Sequence, residues 1–348
     1  MKRPPPDDGE WASHWRRSAR PKRLQAVDPA ILRAHLRRAG LHCSGPCLEL
    51  HSLENRVLGF GRGSAGALVV KLYRPGSWDR FAIEEEHAFA SELCRGGIAV
   101  AQPLALASGS TIGRCDGVWY AAFDWIEGDD RTNQTLDAAE IVGLGRLAGE
   151  LHRVGQVRLA RHRRSLLPGD QCRGGASFLI DGNRVPSALA DELGRQSRAI
   201  LGALEVTARQ PVLRLHGDLG LWNMRWRQRQ GPTLIDFDDF GNGPATQDLA
   251  LLVLGIAGVT GGGRPGTAAA RGQVADLLAR GYREIRPLEP VWKSTLGPVL
   301  AARRIHVLAW IASRWSEPSF REKYPDFTSA QRWERELADV RRYLDLQA

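Results

Sequence analysis

Residues 215–226 read L-H-G-D-L-G-L-W-N-M-R-W, and residues 234–249 read L-I-D-F-D-D-F-G-N-G-P-A-T-Q-D-L. Short apolar runs alternate here with glycines and polar residues, so the segment reads as β-like, with its chemistry on turns between short strands. Asp218 follows His216 and Gly217, Asn223 comes five residues later, and Asp236 stands at the end of an apolar strand. An ordered Asp, Asn, Asp set of this kind is the equipment of phosphoryl transfer. One carboxylate positions an attacking hydroxyl and accepts its proton, while an amide and a second carboxylate hold the magnesium that neutralises the phosphates. Magnesium favours such hard oxygens and needs only one or two protein carboxylates, because a nucleotide supplies the rest.

A chain of 348 residues suits one large two-lobed unit or two domains, and 43% hydrophobic with 25% charged residues is the make-up of a soluble globular protein with a substantial core. No apolar run approaches the ~20 residues of a membrane span, and the longest, Asp248–Val259, is broken by Gly255. The N-terminus is basic with no apolar stretch behind it, unlike a secretory signal. The five cysteines (Cys43, Cys47, Cys94, Cys115, Cys172) are odd in number, form no CxxC pair and read as free thiols of a cytoplasmic protein. The net charge of +9 is spread along the chain rather than gathered into a nucleic-acid-binding stripe. Lysine occurs only at positions 2, 22, 71, 293 and 323, so arginine supplies 43 of the 48 basic residues. That bias marks Lys71, inside A-L-V-V-K-L-Y-R-P, as a place where a compact ammonium is wanted rather than a planar fork.

The expected organisation is α+β in two lobes. Residues 1–24, with seven Lys/Arg against three acids, read as a flexible basic tail on which Trp11 and Trp15 could dock. Residues 25–125 form a small nucleotide-binding lobe, with a helix at Asp28–Ala39, strands at Cys47–His51, Arg56–Phe60 and Ala67–Tyr73, a helix at Phe81–Gly96 and an apolar strand pair at Gly117–Trp125. A hinge is expected near Phe123–Gly128. Residues 126–348 form a larger, mainly helical catalytic lobe, with helices at Thr246–Leu254, Gly272–Arg283, Pro290–Trp315 and Ala330–Leu346.

On its strand Lys71 faces away from Val70 and Leu72. Glu84, Glu85 and Glu86 on the next helix are candidate partners, and only one can point at Lys71 because consecutive helical residues lie ~100° apart. Such a Lys–Glu pair anchors the α/β-phosphates in kinases. Gly61-Arg-Gly63-Ser-Ala-Gly66 matches G-x-G-x-x-G but ends only four residues before Lys71, so it reads as the hairpin turn between two strands. The phosphate-facing loop then lies one hairpin earlier, at residues 51–55, where Ser52 offers a hydroxyl. His216 reads as a brace of its loop, Asp248 as a structural cap or brace, and Asp238, two residues from Asp236 on an assumed strand, as a weaker metal candidate.

S-L-E-N-R-V (52–57), V-V-K-L-Y-R-P (69–75), E-E-H-A-F-A (85–90), V-L-R-L-H-G-D (212–218), G-P-T-L-I-D-F-D-D (231–239), N-G-P-A-T-Q-D-L (242–249) and L-A-W-I-A-S-R-W-S-E-P-S-F (308–320) resemble the bacterial stress response kinase A family of Ser/Thr protein kinases. These belong to the aminoglycoside phosphotransferase/choline kinase-like superfamily, and the resemblance runs from about residue 28 onward. It implies a bilobal protein-kinase-like fold and ATP as co-substrate with Mg²⁺. Asp218 is then the proton acceptor and Asp236 the second catalytic carboxylate. Asn223 and Asp236 bind the metal, Ser52 contacts ATP, and Lys71 with Glu86 forms the phosphate-anchoring pair. The implied acceptor is a Ser/Thr hydroxyl of a protein, with the enzyme a monomer that engages neither nucleic acid nor membrane.

The family pattern H-G-D-x-H-x-G-N becomes H-G-D-L-G-L-W-N in this chain. The second histidine is missing and Trp222 stands where glycine is usual. Tryptophan lacks glycine's backbone freedom, which bears on the path of the loop. R-Q-R-Q at 227–230 also lengthens the following hairpin by about two residues. A small-molecule kinase of the same fold and a non-catalytic pseudokinase remain as alternatives, although a polycationic acceptor is disfavoured by the basic balance of the chain.

Overall fold

Two capping aspartates, Asp28 and Asp79, and a five-stranded antiparallel sheet account for much of the first third of the chain. The structure is a computed structural model and describes residue 11 and residues 22–63, 66–132, 134–227, 231–259 and 267–344. After a single helical turn at Lys22–Gln25 come α1 (Pro29–Arg38), β1 (Ser44–Leu50), β2 (Arg56–Gly61), β3 (Ala67–Leu72), α2 (Arg80–Arg95), β4 (Gly113–Cys115) and β5 (Val118–Asp124). Next are α3 (Ala138–Gly155), α4 (Pro168–Asp181), α5 (Ser187–Leu204), β6 (Val212–Leu215), β7 (Met224–Arg227), β8 (Gly231–Leu234) and β9 (Gly241–Pro244). The chain continues with α6 (Ala245–Val259), α7 (Ala268–Arg283), α8 (Trp292–Ser313), α9 (Pro318–Lys323) and α10 (Ala330–Leu344).

Contacts divide these elements between two compact units. A sheet unit comprises Arg16–Asp129 and Arg225–Asp236, and a helical unit comprises Met1–Trp15, Asp130–Met224 and Phe237–Ala348. The division falls at 129/130, four residues after the expected 125/126, and it assigns the segment from Arg225 to Asp236 to the sheet unit. The reason is backbone pairing. Leu234 donates its N–H to Ala99 O (2.9 Å) and accepts from Ala101 N (2.9 Å), while Trp226 N donates to Asp129 O (2.9 Å). Gly128 permits that approach, because a Cβ there would lie 2.6 Å from Trp226 O and φ is +131°.

Within the sheet unit the strand order is β1-β2-β3-β5-β4, with antiparallel neighbours throughout. The period-2 pattern of β3 sorts its side chains onto two faces. Leu68, Val70 and Leu72 join Leu58, Phe60, Tyr120 and Ala122 over Leu32 and Leu36 of α1. On the face of Lys71, Ala121 packs with Tyr73, Ile112 and Ile83 of α2. Asp79 caps α2 by accepting from Ala82 N (2.9 Å), and the helix buries Ile83, Glu86, Phe89, Ala90 and Leu93. Burying an Ile, Phe or Leu side chain contributes roughly 1.5–3 kcal/mol, so these residues fix the rotation of α2 and carry Glu86 inward. Arg62 N bonds Gly66 O (2.8 Å) between β2 and β3, so the glycine-rich stretch is the expected hairpin turn, with residues 64 and 65 outside the described ones. β5 is one strand paired with β4, where the sequence suggested a pair inside 117–125.

In the helical unit α3 packs most extensively on α7, and α8 is apolar nearly all round and central, touching α4, α5, α6 and α10. β6 and β9 form an antiparallel pair from Val212↔Pro244 to Leu215↔Gly241. The loops carrying Asp218 and Asp239 therefore leave a common base. α4 and α5 occupy a region for which the sequence pattern gave no bounds. The expected basic tail, residues 1–24, lies outside the described residues except at Trp11 and at 22–24. The latter belong to the helical turn Lys22–Gln25, with Leu24 buried in the sheet-unit core, and Trp11 is buried, edge-on to His306 with ring centroids 4.6 Å apart. Among the described residues no helix is long and apolar enough to cross a membrane.

Candidate active site

The sheet unit gathers Lys71, Glu86 and Asp236. Lys71 Nζ donates to Asp236 Oδ1 at 2.9 Å and lies 3.5 Å from Glu86 Oε1. Of the three consecutive glutamates, Glu86 is the one α2 turns inward to Lys71. Tyr73 supports the pair, with its hydroxyl donating to Glu86 Oε1 (3.2 Å) and its ring 5.0 Å from Lys71 Nζ. His87 links Tyr73 OH (3.1 Å) to Thr111 Oγ1 (2.6 Å). Lys71 and Glu86 are buried, whereas the Asp236 side chain is 50% exposed. A buried ammonium between two carboxylates is compensated where a lone one would be costly.

Asp236 has φ +58°, one of only three non-glycine residues with positive φ among those described. A backbone held in that region stores strain that persists where the surroundings dictate it, typically at functional sites. The value also corrects one expectation. β8 ends at Leu234, so no strand alternation links Asp236 to Asp238. Asp238 is instead a buried residue of the helical unit, where Arg163 donates to its backbone oxygen and to Phe237 O (3.3 Å) and Phe240 O (2.9 Å).

Ser52 lies in the exposed turn joining β1 and β2 and accepts weakly from Asn55 N (3.4 Å). This turn is pinned from below. Buried Arg74 donates to Glu54 O (2.8 Å) and Leu53 O (3.3 Å), and Arg74 N donates to Asn55 Oδ1 (3.0 Å). Arg74, Asn55 and Tyr73 are supporting residues that the sequence reading did not single out. The bulk of Arg74, inside the same strand motif as Lys71, was their available signal.

The helical unit holds Asp218 and Asn223. Gly217 has φ +87°, and a Cβ on it would sit 2.0 Å from Asp239 O, so glycine is required immediately before Asp218. Both oxygens of Asp218 are engaged. Arg303 of α8 donates to Oδ1 (3.0 Å), while Trp222 Nε1 and Asn223 Nδ2 each donate to Oδ2 (2.9 Å). Arg303 also lies 3.7 Å from Asp239 Oδ2. Trp222 sits in a short 3₁₀ turn, Leu221–Asn223, and is not among the positive-φ residues. The family's glycine is therefore not needed for backbone freedom in this chain. Arg303, 85 positions from Asp218 and in no local motif, could not be found by spacing.

Beneath the loop, fully buried Asp248 accepts from His216 N and Gly217 N, both at 2.9 Å, and meets His152 Nε2 at 3.2 Å. His152 Nδ1 contacts Tyr282 OH (3.0 Å), which accepts from Arg286 (2.9 Å). Burial lowers the His152 pKa despite its bond to Asp248, and burial pushes the Tyr282 phenol up to about 12. Both groups are therefore neutral links near pH 7. Asp248 is a brace, as the sequence suggested. His216 braces too, accepting at Nδ1 from Asp218 N (3.4 Å).

A divalent metal fits the chemistry of these donors. The amide nitrogen of Asn223 is committed to Asp218 O and Oδ2, which leaves its oxygen as the atom to offer a cation. In the sheet unit, Asp236 by itself presents a half-exposed carboxylate. Among the described residues no cluster of three or more His, Cys, Asp or Glu forms an all-protein metal cage. A hard ion that takes its other oxygens from a nucleotide and water suits a donor of either kind.

The sequence profile of the phosphotransferase enzyme family matches residues 48–288. The chain is 30% identical over 317 residues to stress response kinase A of Escherichia coli strain K12, covering 90% of this chain and 92% of that protein. This chain belongs to the phosphotransferase enzyme family, in its stress response kinase A group. It is likewise 30% identical over 315 residues to a Salmonella typhimurium strain LT2 protein named serine/threonine protein kinase RdoA, covering 90% and 91% of the two chains. Its fold matches that of the amicoumacin kinase hAmiN, solved in complex with AMP-PNP, Ca²⁺ and Ami. The TM-score is 0.72 and the identity 17%, over 93% of this chain and 96% of that one. The expected aminoglycoside phosphotransferase-type fold is thus the observed one, and the protein is a phosphotransferase.

Proposed function

We propose that this phosphotransferase is an ATP- and Mg²⁺-dependent Ser/Thr protein kinase of the stress response type. The observation that carries the reading is the chain Glu86–Lys71–Asp236, with Asp236 held at positive φ and half exposed. Lys71 anchors the α/β-phosphates and Glu86 orients Lys71, while Ser52 and the backbone of its turn face the phosphates. Asn223 and Asp236 each offer a hard oxygen to the magnesium ion, which when bound offsets phosphate charge. Asp218 orients the acceptor hydroxyl and takes its proton. The acceptor oxygen bonds to the γ-phosphorus, the bond from phosphorus to the β–γ bridging oxygen breaks, and ADP leaves with that electron pair. Positioning and electrostatics supply most of the rate in such a reaction.

A protein acceptor is favoured by the names of the relatives that align along nearly the whole chain. The formal net charge of +9 disfavours a polycationic small-molecule acceptor. The test is transfer of labelled γ-phosphate from ATP with Mg²⁺, comparing wild type with Asp218→Asn, with and without a generic basic protein as acceptor. Label on protein in the wild type alone is the expected result. Turnover of a metabolite without labelled protein would replace the protein acceptor by a small molecule. Nucleotide binding with no transfer to any acceptor would make the chain a pseudokinase.

A further inference from the structure

Asp218 is held unusually tightly for a group that must receive a proton. A carboxylate offers about four lone-pair positions. Three are occupied by donors from side chains: Trp222 Nε1 and Asn223 Nδ2 on Oδ2, and Arg303 on Oδ1. Oδ2 has no further lone pair to give, so Oδ1 is the atom that can accept from a substrate hydroxyl. The Asp218 side chain is 21% exposed and that of Arg303 14%, so this arrangement is partly withdrawn from solvent, where bonds of this type are directional and strong.

We propose that Trp222 and Arg303 are positioning residues for phosphoryl transfer. Trp222 fixes Oδ2 with its indole N–H, Arg303 fixes the tilt of the carboxylate from the other side, and together they direct Oδ1 at the acceptor. Trp222 stands where the family pattern has glycine, so this chain carries in its catalytic loop a donor that a glycine side chain cannot provide. The loop is built to seat it. A Cβ on Gly220 would lie 2.2 Å from the Trp222 ring, and the ring edge reaches ordinary contact distance of α6, 3.5 Å from where a Cβ on Gly255 would lie. Arg303 adds a second link by lying within 3.7 Å of Asp239, so one guanidinium spans the loop of Asp218 and the loop after Asp236. The bond changes are those of the proposed reaction, with the acceptor proton passing to Asp218 Oδ1.

This inference rests on the reading of Asp218 as proton acceptor, and the experiment separates the two. Trp222→Phe keeps the ring and removes the N–H. Arg303→Lys keeps the charge, and Arg303→Met keeps the length without it. All are compared with wild type and Asp218→Asn in labelled-phosphate transfer, with kcat and the KM of ATP and of the protein acceptor determined separately. Thermal stabilisation by ATP and Mg²⁺ reports nucleotide binding independently of turnover. Misorienting a catalytic group lowers kcat while ground-state binding persists, so kcat should fall ~10-fold or more in Trp222→Phe and ~100-fold in Arg303→Met, with the ATP KM within about twofold. Arg303→Lys should recover at least ~10-fold of the Arg303→Met loss, a rescue that a purely structural role would not show. If Trp222→Phe melts early, the comparison of Arg303→Lys with Arg303→Met, made on protein that melts as wild type does, decides alone. Wild-type kcat in Trp222→Phe and Arg303→Met beside an inactive Asp218→Asn would overturn the positioning role and leave the base in place. Wild-type kcat in Asp218→Asn would overturn the reading of the base and this inference with it.

Discussion

Replacing Asp248 should loosen the catalytic loop and destabilise the helical unit together, because one carboxylate does both jobs. Asp248 is fully buried and accepts from His216 N, Gly217 N and His152. Asp248→Ala strands three donors with no water to replace the lost acceptor. Each buried donor left unmatched costs about 1–3 kcal/mol, so the expected loss is roughly 5 kcal/mol, a large share of the about 5–15 kcal/mol that holds a domain together. For a unit of this size that loss corresponds to a fall in Tm of about 10–20 °C. Asp248→Asn keeps the volume and one acceptor but turns an amide donor towards an N–H, so about half the effect is expected.

Calorimetric or circular dichroism melts measure the stability term, and labelled-phosphate transfer below the lowered Tm measures the loop. The Asp248→Asn protein should remain folded at 25 °C yet transfer phosphate more slowly, since Asp218 is two residues from a donor that has lost its acceptor. Melting of Asp248→Ala within about 3 °C of wild type would show that the bracing bonds contribute nothing net, and the link from brace to loop would fall.

Lys71→Met leaves Glu86 buried with its cation removed and should cost about 3–5 kcal/mol. The double variant Lys71→Met/Glu86→Leu should recover much of that stability in urea melts while still failing to be stabilised by ATP. Acid should destabilise the fold early. His152 and His306 have pKa values lowered by burial, so below the ordinary value of 6.5 the unfolded chain binds protons that the folded one refuses. Stability is therefore complete above pH 6.5 and falls below it, by up to about 1.4 kcal/mol per pH unit for each histidine. Urea titrations from pH 7.5 to 5 in wild type and His306→Gln measure this, and parallel curves for the two would count against His306. Trp11→Ala removes a buried ring from His306 and from Arg164, whose guanidinium lies 5.5 Å from the ring centroid. A loss of about 3 kcal/mol is expected in the same melts, against no change if residue 11 belongs to a free tail.

Local chemistry was legible in the sequence wherever one element carries it. The alternation of β3 separated Lys71 from Val70 and Leu72, and the ~100° step of a helix allowed only one of three glutamates to turn inward, with Glu86 named by the family resemblance rather than by spacing. The G-x-G-x-x-G stretch was recognisable as a turn because four residues cannot cover phosphates and return to a strand. Asp236 misled for a local reason. An apolar run followed by D-F-D-D looks like continued strand, but the chain leaves β8 at Leu234 and turns through positive φ, so alternation stops applying two residues too early for Asp238. Arg303 was invisible because its partner lies across the tertiary fold. Trp222 was noticed as a departure, yet its function depends on where an indole N–H points, which spacing does not encode.

The arginine excess also acquires a physical meaning. Arg74 binds the carbonyls of residues 53 and 54 in the turn beside Ser52, Arg163 binds those of Phe237 and Phe240, and Arg214 binds those of Val154 and Gly155 at the end of α3. All three are buried. A planar fork satisfies several carbonyls of one loop at once, which a single ammonium on a flexible stem does less well. Part of the +9 is therefore internal scaffolding for the loops that carry the chemistry rather than a surface field for an anionic polymer. Lys71 is the complementary case. It meets Asp236 and Glu86 from one point, and the compactness of its ammonium leaves open the approach beside half-exposed Asp236. An arginine at 71 would reach further, hold its carboxylates in a fixed fork and fill that approach, which is a physical reason for a chain so biased towards arginine to keep lysine there.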